Sequence, residues 1–206
     1  GDMLEAALTA GLCSMGAKVI PLGVVPTPAV AYLTRYYKAD AGVVISASHN
    51  PCEYNGIKFF NSDGYKLSDG IENEIESYIL GEKAIEELPT HGKVGYVSAN
   101  HNAVEDYVAF AVSTIDCRLD GMKIAVDCAN GASYETAFKA LNKLGANVEA
   151  IHNTPDGVNI NHMCGSTHME SLQAYVTSIG ADIGIAFDGD ADRMLAVDEN
   201  GNLIDG

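Results

Sequence analysis

Apolar residues along the chain fall into segments with two different periods. Segments with an apolar residue at every third or fourth position predict amphipathic helices, and short β-rich apolar runs predict buried strands. The helical pattern covers residues 2–15, 27–38, 68–80, 102–115, 132–144 and 170–179. The strand pattern covers residues 18–25, 41–45, 57–60, 65–67, 123–126, 146–151, 182–187 and 194–197. This alternation predicts an α/β protein.

Local signals refine several of these elements. Ala41–Ile45 is a continuous apolar run, typical of a strand buried on both faces. Thr27 followed by Pro28 predicts a capped helix start. Asn61–Gly64 predicts a hairpin turn between the short strands that flank it. The polar residues 81–100 predict a loop with one edge strand.

The pattern of alternating elements stops in that polar stretch and begins again after the helix predicted at 102–115. We therefore expect two successive three-layer α/β/α domains with mixed, mostly parallel sheets. We assign the first domain to residues 1–102 and the second to residues 103–206.

Composition narrows the functional classes. The formal net charge of −16 and the pI near 4.5 disfavour nucleic acid and anionic membranes as partners. No window approaches the ~18 apolar residues of a membrane span, and the first residues do not resemble a signal peptide. Five cysteines without zinc or redox spacing indicate reduced thiols, so we expect a cytoplasmic protein. The oligomeric state is not predicted.

A polar segment follows the strand predicted at 41–45. It runs Ser46-Ala47-Ser48-His49-Asn50-Pro51, and Asn55-Gly56 then favours a turn that brings Lys58 back towards the serines. Ligands of open α/β sheets gather at the carboxyl ends of strands. Hydroxyl, imidazole and ammonium groups there would suit transfer of a phosphoryl or acyl group. A Ser/Asn-rich turn that only caps backbone groups would have the same composition.

A second polar segment lies between two predicted strands. Asp188, Asp190 and Asp192 alternate along it, and Arg193 follows. Three carboxylates that converge would repel one another, so a hard cation such as Mg²⁺ or Ca²⁺ is the simplest partner. With Glu199 the spacing also matches a calcium-binding EF-hand loop, but Arg193 stands where that loop needs Gly and the flanks are strand-like.

Other polar clusters are weaker candidates. His162–His168 contains one cysteine and lacks a fourth zinc ligand, so we interpret it as a polar loop in which Ser166 or Thr167 caps the next helix. Asp127, Asn130 and Gly131 form a turn after a strand, which we interpret as a helix cap. Three further histidines are interpreted as surface or structural residues: His91, His101 and His152.

The two main segments together resemble the α-D-phosphohexomutase superfamily. Ser46–Pro51 is similar to its phosphoserine signature, and Asp188–Arg193 is similar to its metal loop. Within the superfamily the closest resemblance is to the bacterial phosphoglucosamine mutases. Three further segments carry it: Asn55–Phe60, Asp127–Ala132 and Cys164–His168.

The resemblance implies a role for each residue of the two segments. Ser48, just before His49, would carry a phosphoryl group, and Mg²⁺ would bind the three aspartates and the phosphoserine. Lys58 and Arg193 would sit beside the phosphoryl group and assist proton transfer. The reaction would interconvert glucosamine 6-phosphate and glucosamine 1-phosphate through a bisphosphate, in the synthesis of cell-wall precursors.

Two departures from the superfamily pattern stand out. Ala191 occupies a position where many members have Gly, and members have four domains whereas this chain resembles most of the first and the second. We therefore expect a piece of a longer protein, with no meaningful turnover without its C-terminal domains.

The alternatives are a phosphomannomutase or phosphoglucomutase, a calcium-binding module, and a non-catalytic sugar-phosphate-binding protein. The mutase interpretation requires Ser48 and the acidic segment to face each other across a cleft between the two domains.

Overall fold

The computed structural model describes residues 1–85, 87–99 and 102–204. The helices are α1 (Asp2–Ser14), α2 (Thr27–Tyr36), α3 (Asp69–Ile79), α4 (Ala103–Ser113), α5 (Thr136–Lys143) and α6 (Glu170–Ile179). The strands are β1 (Lys18–Val19), β2 (Ala41–Ser46), β3 (Gly56–Asn61), β4 (Tyr96–Val97), β5 (Lys123–Asp127), β6 (Asn147–Ile151), β7 (Ile183–Phe187), β8 (Met194–Asp198) and β9 (Leu203–Ile204). Short 3₁₀ helices lie at Cys52–Tyr54, His91–Lys93 and Gly165–Thr167.

The carboxyl-terminal part of the chain forms one five-stranded sheet in the order β6-β5-β7-β8-β9. β5 pairs with β6 and β7 in parallel, whereas β7–β8 and β8–β9 are antiparallel. One apolar cluster, containing Leu172 and Val176 of α6, covers one face of the sheet. A second cluster, containing Ile124 and Val126, packs against Leu141 of α5 on the other face. These three layers confirm the predicted α/β/α arrangement for this part.

The amino-terminal part has two separate pairs of strands among its described residues. β1 and β4 are parallel, and β2 and β3 are antiparallel. Helix α2 packs its Ala29, Val30 and Leu33 into one cluster with Val44 of β2. The fold class is therefore confirmed as α/β, but the sheets of this part are smaller than the sequence suggests.

The burial of β2 corrects one prediction. Gly42 and Val44 are buried, whereas Ala41 is exposed and Val43 is only half buried. The prediction of burial on both faces was wrong because α2 covers one face of this two-stranded sheet. A continuous apolar run therefore does not distinguish this antiparallel strand, which is covered on one face, from a parallel strand that is buried on both faces.

Other element boundaries also differ from the predictions. Only Lys18–Val19 of the predicted 18–25 strand is paired, and α5 begins at Thr136 rather than at residue 132. The predicted hairpin around Asn61–Gly64 is reduced to a single bridge between Phe60 and Lys66, and the ladder of β3 is formed with β2 instead. β4 is the predicted edge strand, and β9 was missed.

Two predicted helix caps are absent. Pro26 precedes α2 and Met169 precedes α6, and neither helix start has a side-chain cap bond. Thr27 instead directs its hydroxyl to Asp190, 163 residues further along the chain. The prediction of a Ser166 or Thr167 cap was therefore wrong, and the hydroxyl of Thr27 belongs to a long-range contact.

Helix α4 lies between the two parts of the chain. It packs against both α2 and α5. The ring of Phe110 on α4 stacks on Tyr32 of α2 with centroids 3.8 Å apart, and Glu105 pairs with Lys139 and Lys143 of α5. None of the helices in the described ranges is long and apolar enough to cross a lipid bilayer.

Candidate functional site

The acidic loop connects β7 to β8, which are antiparallel neighbours paired from Ile183 to Phe187. Inside the loop the amide of Ala191 donates to the carbonyl of Asp188 at 3.0 Å, and Ala191 has a φ of 54°. This left-handed backbone conformation favours glycine. Alanine at position 191, where many superfamily members have glycine, is therefore disfavoured by its backbone angle. The tight turn brings alternate side chains together.

The carboxylates of Asp188, Asp190 and Asp192 form one cluster. One oxygen from each lies within 4.8 Å of the others, so the group could hold a metal ion. Asp188 and Asp190 are 1% exposed, whereas the side chain of Asp192 is 36% exposed. The flanks of the loop are strands, as predicted, and this contradicts the EF-hand alternative, whose loop lies between helices.

Asp190 is one of the residues through which the two parts of the chain contact each other. Its Oδ1 accepts a hydrogen bond from Ser48 Oγ at 3.2 Å, and its Oδ2 accepts bonds from Lys58 Nζ at 2.6 Å and Thr27 Oγ1 at 3.1 Å. Burial opposes ionisation of the Asp190 carboxyl, but these bonds outweigh burial and lower its pKa. Asp190 therefore remains a carboxylate while buried.

Asp188 has a different environment. Burial raises the pKa of its carboxyl, and the nearby Asp190 and Asp192 charges add to this effect, although bonds from Arg193 oppose it. Arg193 reaches Asp188 Oδ2 with Nη2 at 2.8 Å and with Nε at 3.0 Å. Arg193 thus supplies local positive charge on a strongly acidic chain, with 55% of its side chain exposed to approaching ligands.

Ser48 lies in the turn that follows β2. Its φ is 56°, and its amide donates to Ser46 Oγ at 2.9 Å. A non-glycine residue in this conformation is strained by roughly 1–3 kcal/mol and needs support from its surroundings. Part of that support comes from Asn161, whose Nδ2 donates to the carbonyl oxygens of Ser48 and Asn50, each at 2.8 Å.

Gly189 allows the two loops to approach each other. A Cβ added to Gly189 would lie 2.5 Å from the carbonyl oxygen of Ser48 and 2.7 Å from Nδ2 of Asn161. Gly131 makes a similar approach, because a Cβ there would meet the carbonyl oxygen of Gly189. Ala132 donates its amide to the same oxygen at 2.8 Å. Small residues are therefore required where the serine loop meets the acidic loop.

The structure brings together most of the predicted site residues. The cluster contains Ser48, Lys58, Asp188, Asp190, Asp192 and Arg193. His49 is exposed and belongs to none of the contacts that define this cluster. Lys58 reaches the site from strand β3, opposite Val44, so strand pairing positions it rather than the predicted turn.

The sequence interpretation missed a second polar cluster, which is centred on Asp127. Asp127 Oδ2 lies 2.9 Å from Nδ1 of His152 and accepts the amide of Gly165 at 2.9 Å, while its Oδ1 accepts the amide of Ala129 at 2.8 Å. Asp127 is therefore a hub for three loops rather than a helix cap, and His152 has a specific partner. The feature of the sequence that could have revealed this cluster is the charged Asp127 at the end of a strand that is otherwise apolar from Ile124 onwards.

The thiol of Cys164 lies beside that hub. The ligand atoms of Asp127, His152 and Cys164 are within 4.8 Å of one another. Burial raises the pKa of Cys164 to about 11. It raises the pKa of Cys128, which directly follows Asp127 at the end of β5, to about 12. Both groups are thus neutral thiols at pH 7, and the Asp127 oxygens already have donors, so this cluster serves as a hydrogen-bonded scaffold.

A strained serine and a cluster of three carboxylates, two of them buried, have Lys and Arg beside them and form a site suited to phosphoryl groups. Residues 1–86 match the family "Phosphoglucomutase/phosphomannomutase, alpha/beta/alpha domain I", and residues 103–201 match domain II of that family. The chain therefore belongs to the phosphoglucomutase/phosphomannomutase family.

Individual relatives narrow the resemblance. The chain is 64% identical over 206 residues to phosphoglucosamine mutase from Acetivibrio thermocellus and 63% identical to that from Clostridium acetobutylicum. Each alignment covers 100% of this chain and 46% of the relative. The chain therefore spans about half the length of the curated relatives it matches. The crystal structure of a phosphoglucomutase/phosphomannomutase family protein from Burkholderia thailandensis matches with a TM-score of 0.81 and 28% identity, over 99% of this chain and 45% of that chain.

Proposed function

We propose that this chain is the N-terminal half of a phosphoglucosamine mutase, which interconverts glucosamine 6-phosphate and glucosamine 1-phosphate. The observation that carries the proposal is the 3.2 Å contact between Ser48 Oγ and Asp190 Oδ1, which joins the serine turn to the acidic loop. Relatives named phosphoglucosamine mutase are 59–64% identical over the whole chain and support this substrate. The product would feed synthesis of peptidoglycan precursors.

In the proposed reaction Ser48 gives one phosphoryl group to the substrate and receives another from the intermediate. The bond from phosphorus to Ser48 Oγ breaks as the free hydroxyl of the sugar monophosphate forms a new bond to that phosphorus. This gives a sugar bisphosphate, and the hydroxyl proton passes to Ser48 Oγ. After the bisphosphate reorients, its other phosphoryl group moves to Ser48 Oγ, and the isomeric monophosphate leaves with the proton that Ser48 Oγ releases. The serine is phosphorylated again, so the cycle needs no further phosphoryl donor.

Residues around Ser48 have distinct proposed roles. Lys58 and Arg193 neutralise charge on the phosphoryl group and assist transfer of the hydroxyl proton, because transfer of this kind depends on positioning and charge stabilisation. Both are partly exposed, with side-chain exposures of 40% and 55%. His49, exposed next to Ser48, is proposed to contact the substrate rather than the acidic cluster.

Magnesium is the proposed metal. The cluster offers oxygen ligands alone, which suits a hard cation. Asp188, Asp190, Asp192 and the phosphoserine would hold the ion. The ion would neutralise part of the phosphoserine charge of about −2.

Substrate selection is tested with the full-length protein. We expect glucosamine 6-phosphate to be converted with the highest kcat/KM, well above mannose and glucose phosphates, and conversion to stop when EDTA removes the metal. The Ser48→Ala variant should be inactive, whereas Ser178→Ala, on the surface of α6, should match the wild type. Preference for mannose or glucose phosphates would assign the chain to the other mutases of the family.

The remaining expectations concern organisation. We propose a domain boundary between residues 102 and 103, since the two family matches end and begin on either side of it. We propose that residues 1–206 alone have no meaningful turnover, because the rest of the active site would come from the C-terminal half. All five cysteines are unpaired, which supports a reducing, cytoplasmic location.

A further inference from the structure

Asn161 holds the serine turn from the opposite part of the molecule. Its single amide nitrogen donates to two carbonyl oxygens, those of Ser48 and Asn50, each at 2.8 Å. These contacts join residues 113 and 111 positions apart in the sequence. Because the two carbonyls flank His49, one side chain fixes the backbone on both sides of the tip of the turn.

The chemistry of this contact selects asparagine. Two carbonyl oxygens require two hydrogens, which an amide nitrogen has and a carboxylate lacks. Asn161 also has a φ of 57°, and asparagine tolerates this left-handed conformation better than most residues. Since the acceptors fix which end of the amide faces the turn, Oδ1 points elsewhere, and it is buried with no partner among the described residues.

Asn161 is itself held in place. It is 7% exposed, and its amide donates to the carbonyl of Ala129 at 2.9 Å. The amide of Ala129 in turn donates to Asp127. Asp127 also accepts a hydrogen bond from the amide of Gly165, which lies in the same loop as Asn161. The side chain of Asn161 thus transmits the position of the end of β5 to the serine turn.

We propose that Asn161 is a positioning residue that holds Ser48 in its strained conformation, aimed at the acidic cluster. The predicted effect on the rate of phosphoryl transfer rests on the proposed function, whereas the predicted effect on the conformation of the turn does not. The side chain of Asn161 donates its hydrogen bonds to backbone carbonyls of the turn, so its loss should slow phosphoryl transfer to Ser48 without weakening substrate binding. A 1 Å displacement of a reacting group can cost about 100-fold in rate.

The test compares two glycine substitutions in one loop of the full-length protein. Asn161→Gly removes the amide but suits the left-handed backbone. Met163→Gly is the matched control, because Met163 has a φ of 52° and is 66% exposed. Phosphoryl transfer to Ser48 from a hexose 1,6-bisphosphate is followed by intact mass, and hydrogen exchange is measured for the amides of residues 46–50. Asn161→Ala is the second variant if the glycine variant does not fold.

We expect Asn161→Gly to slow transfer about 100-fold with the half-saturating bisphosphate concentration unchanged within about 3-fold. Exchange at residues 46–50 should be at least about 10-fold faster, and Met163→Gly should match the wild type. Equal rates and equal exchange in the two variants would overturn the proposal. If the wild type accepts no phosphoryl group but the exchange difference remains, the proposed function fails while the positioning contact stands.

Discussion

The two parts of the chain differ in how they support their loops. The acidic loop extends from neighbouring strands of a five-stranded sheet that has apolar clusters on both faces. The serine turn follows a strand of a two-stranded sheet, in a part where α1 and α3 have no fully buried residue. The serine turn therefore depends on contacts across the interface with Asp190 and Asn161, in addition to its own bond between Ser48 and Ser46.

We interpret the five-stranded sheet of the second part as the support for the carboxylates, to which polar contacts join the serine turn of the first part. Changes in the acidic loop should therefore affect both loops, whereas changes far from the interface in the first part should be local.

Asp190 should show the largest effect in the full-length protein. We expect Asp190→Asn to slow phosphoryl transfer to Ser48 about 10²–10³-fold, because one buried charge binds Ser48, Thr27 and Lys58 at once. Asp192→Asn, at a side chain that is 36% exposed, is the control and should cost less. Rates are measured by intact mass under identical magnesium concentrations. A larger loss in Asp192→Asn would contradict the central position of Asp190.

Cysteine labelling tests how tightly the scaffold around Asp127 is packed. Cys128 and Cys164 are 0% exposed with pKa values raised to about 12 and about 11, so they should resist iodoacetamide at pH 8 until the protein unfolds. Exposed Cys117 should react first, and the partly buried Cys13 and Cys52 next. Peptide mass spectrometry of native and urea-treated samples gives the order. Modification of Cys164 at the rate of Cys117 would show that the scaffold around Asp127 opens.

Gly189 tests the contact between the loops. We expect Gly189→Ala to lower the free energy of unfolding by about 1–3 kcal/mol, because its Cβ would lie 2.5 Å from the Ser48 carbonyl oxygen. Gly11→Ala in helix α1, where an added Cβ meets nothing within 4 Å, should instead raise it by about 0.5–1 kcal/mol. Urea denaturation measures both. Equal effects of the two substitutions would show that the loops have room to separate.

Glu105 gives the smallest effect. Hydrogen bonds from Lys139 and Lys143 lower its pKa to about 2 from 4.5. Because the folded-state pKa is depressed, these bonds stabilise the protein above pH 4.5, and the contribution is lost as the pH falls towards 2. Glu105→Gln should flatten the pH dependence of the melting temperature slightly in this window, since the pair is at the surface. An unchanged profile would show that the pairs add nothing measurable.

Local patterns in the sequence predicted much of the fold and the acidic loop. Periodicity located the helices, and three aspartates between two strands indicated a cation site, because both signals are confined to short segments. The serine turn was found in the same way, from polar residues after an apolar run. The facing arrangement of Ser48 and Asp190 followed from the family resemblance rather than from either segment alone.

Long-range contacts could not be predicted in this way. Thr27 was interpreted as a helix cap and His152 as a surface or structural residue, and both have partners distant in sequence. Asn161 was one polar residue in a loop rich in asparagine, glycine and histidine. Its importance depends on where the loop meets the serine turn, and a single sequence does not contain that distance.

The most direct test locates the phosphoryl group. The full-length protein is incubated with magnesium and a hexose 1,6-bisphosphate, digested, and mapped by peptide mass spectrometry. The account predicts one phosphoryl group on Ser48, absent without the metal and absent in Ser48→Ala. A phosphoryl group on Ser46 or elsewhere, or none on a wild-type protein that converts its substrate, would contradict it.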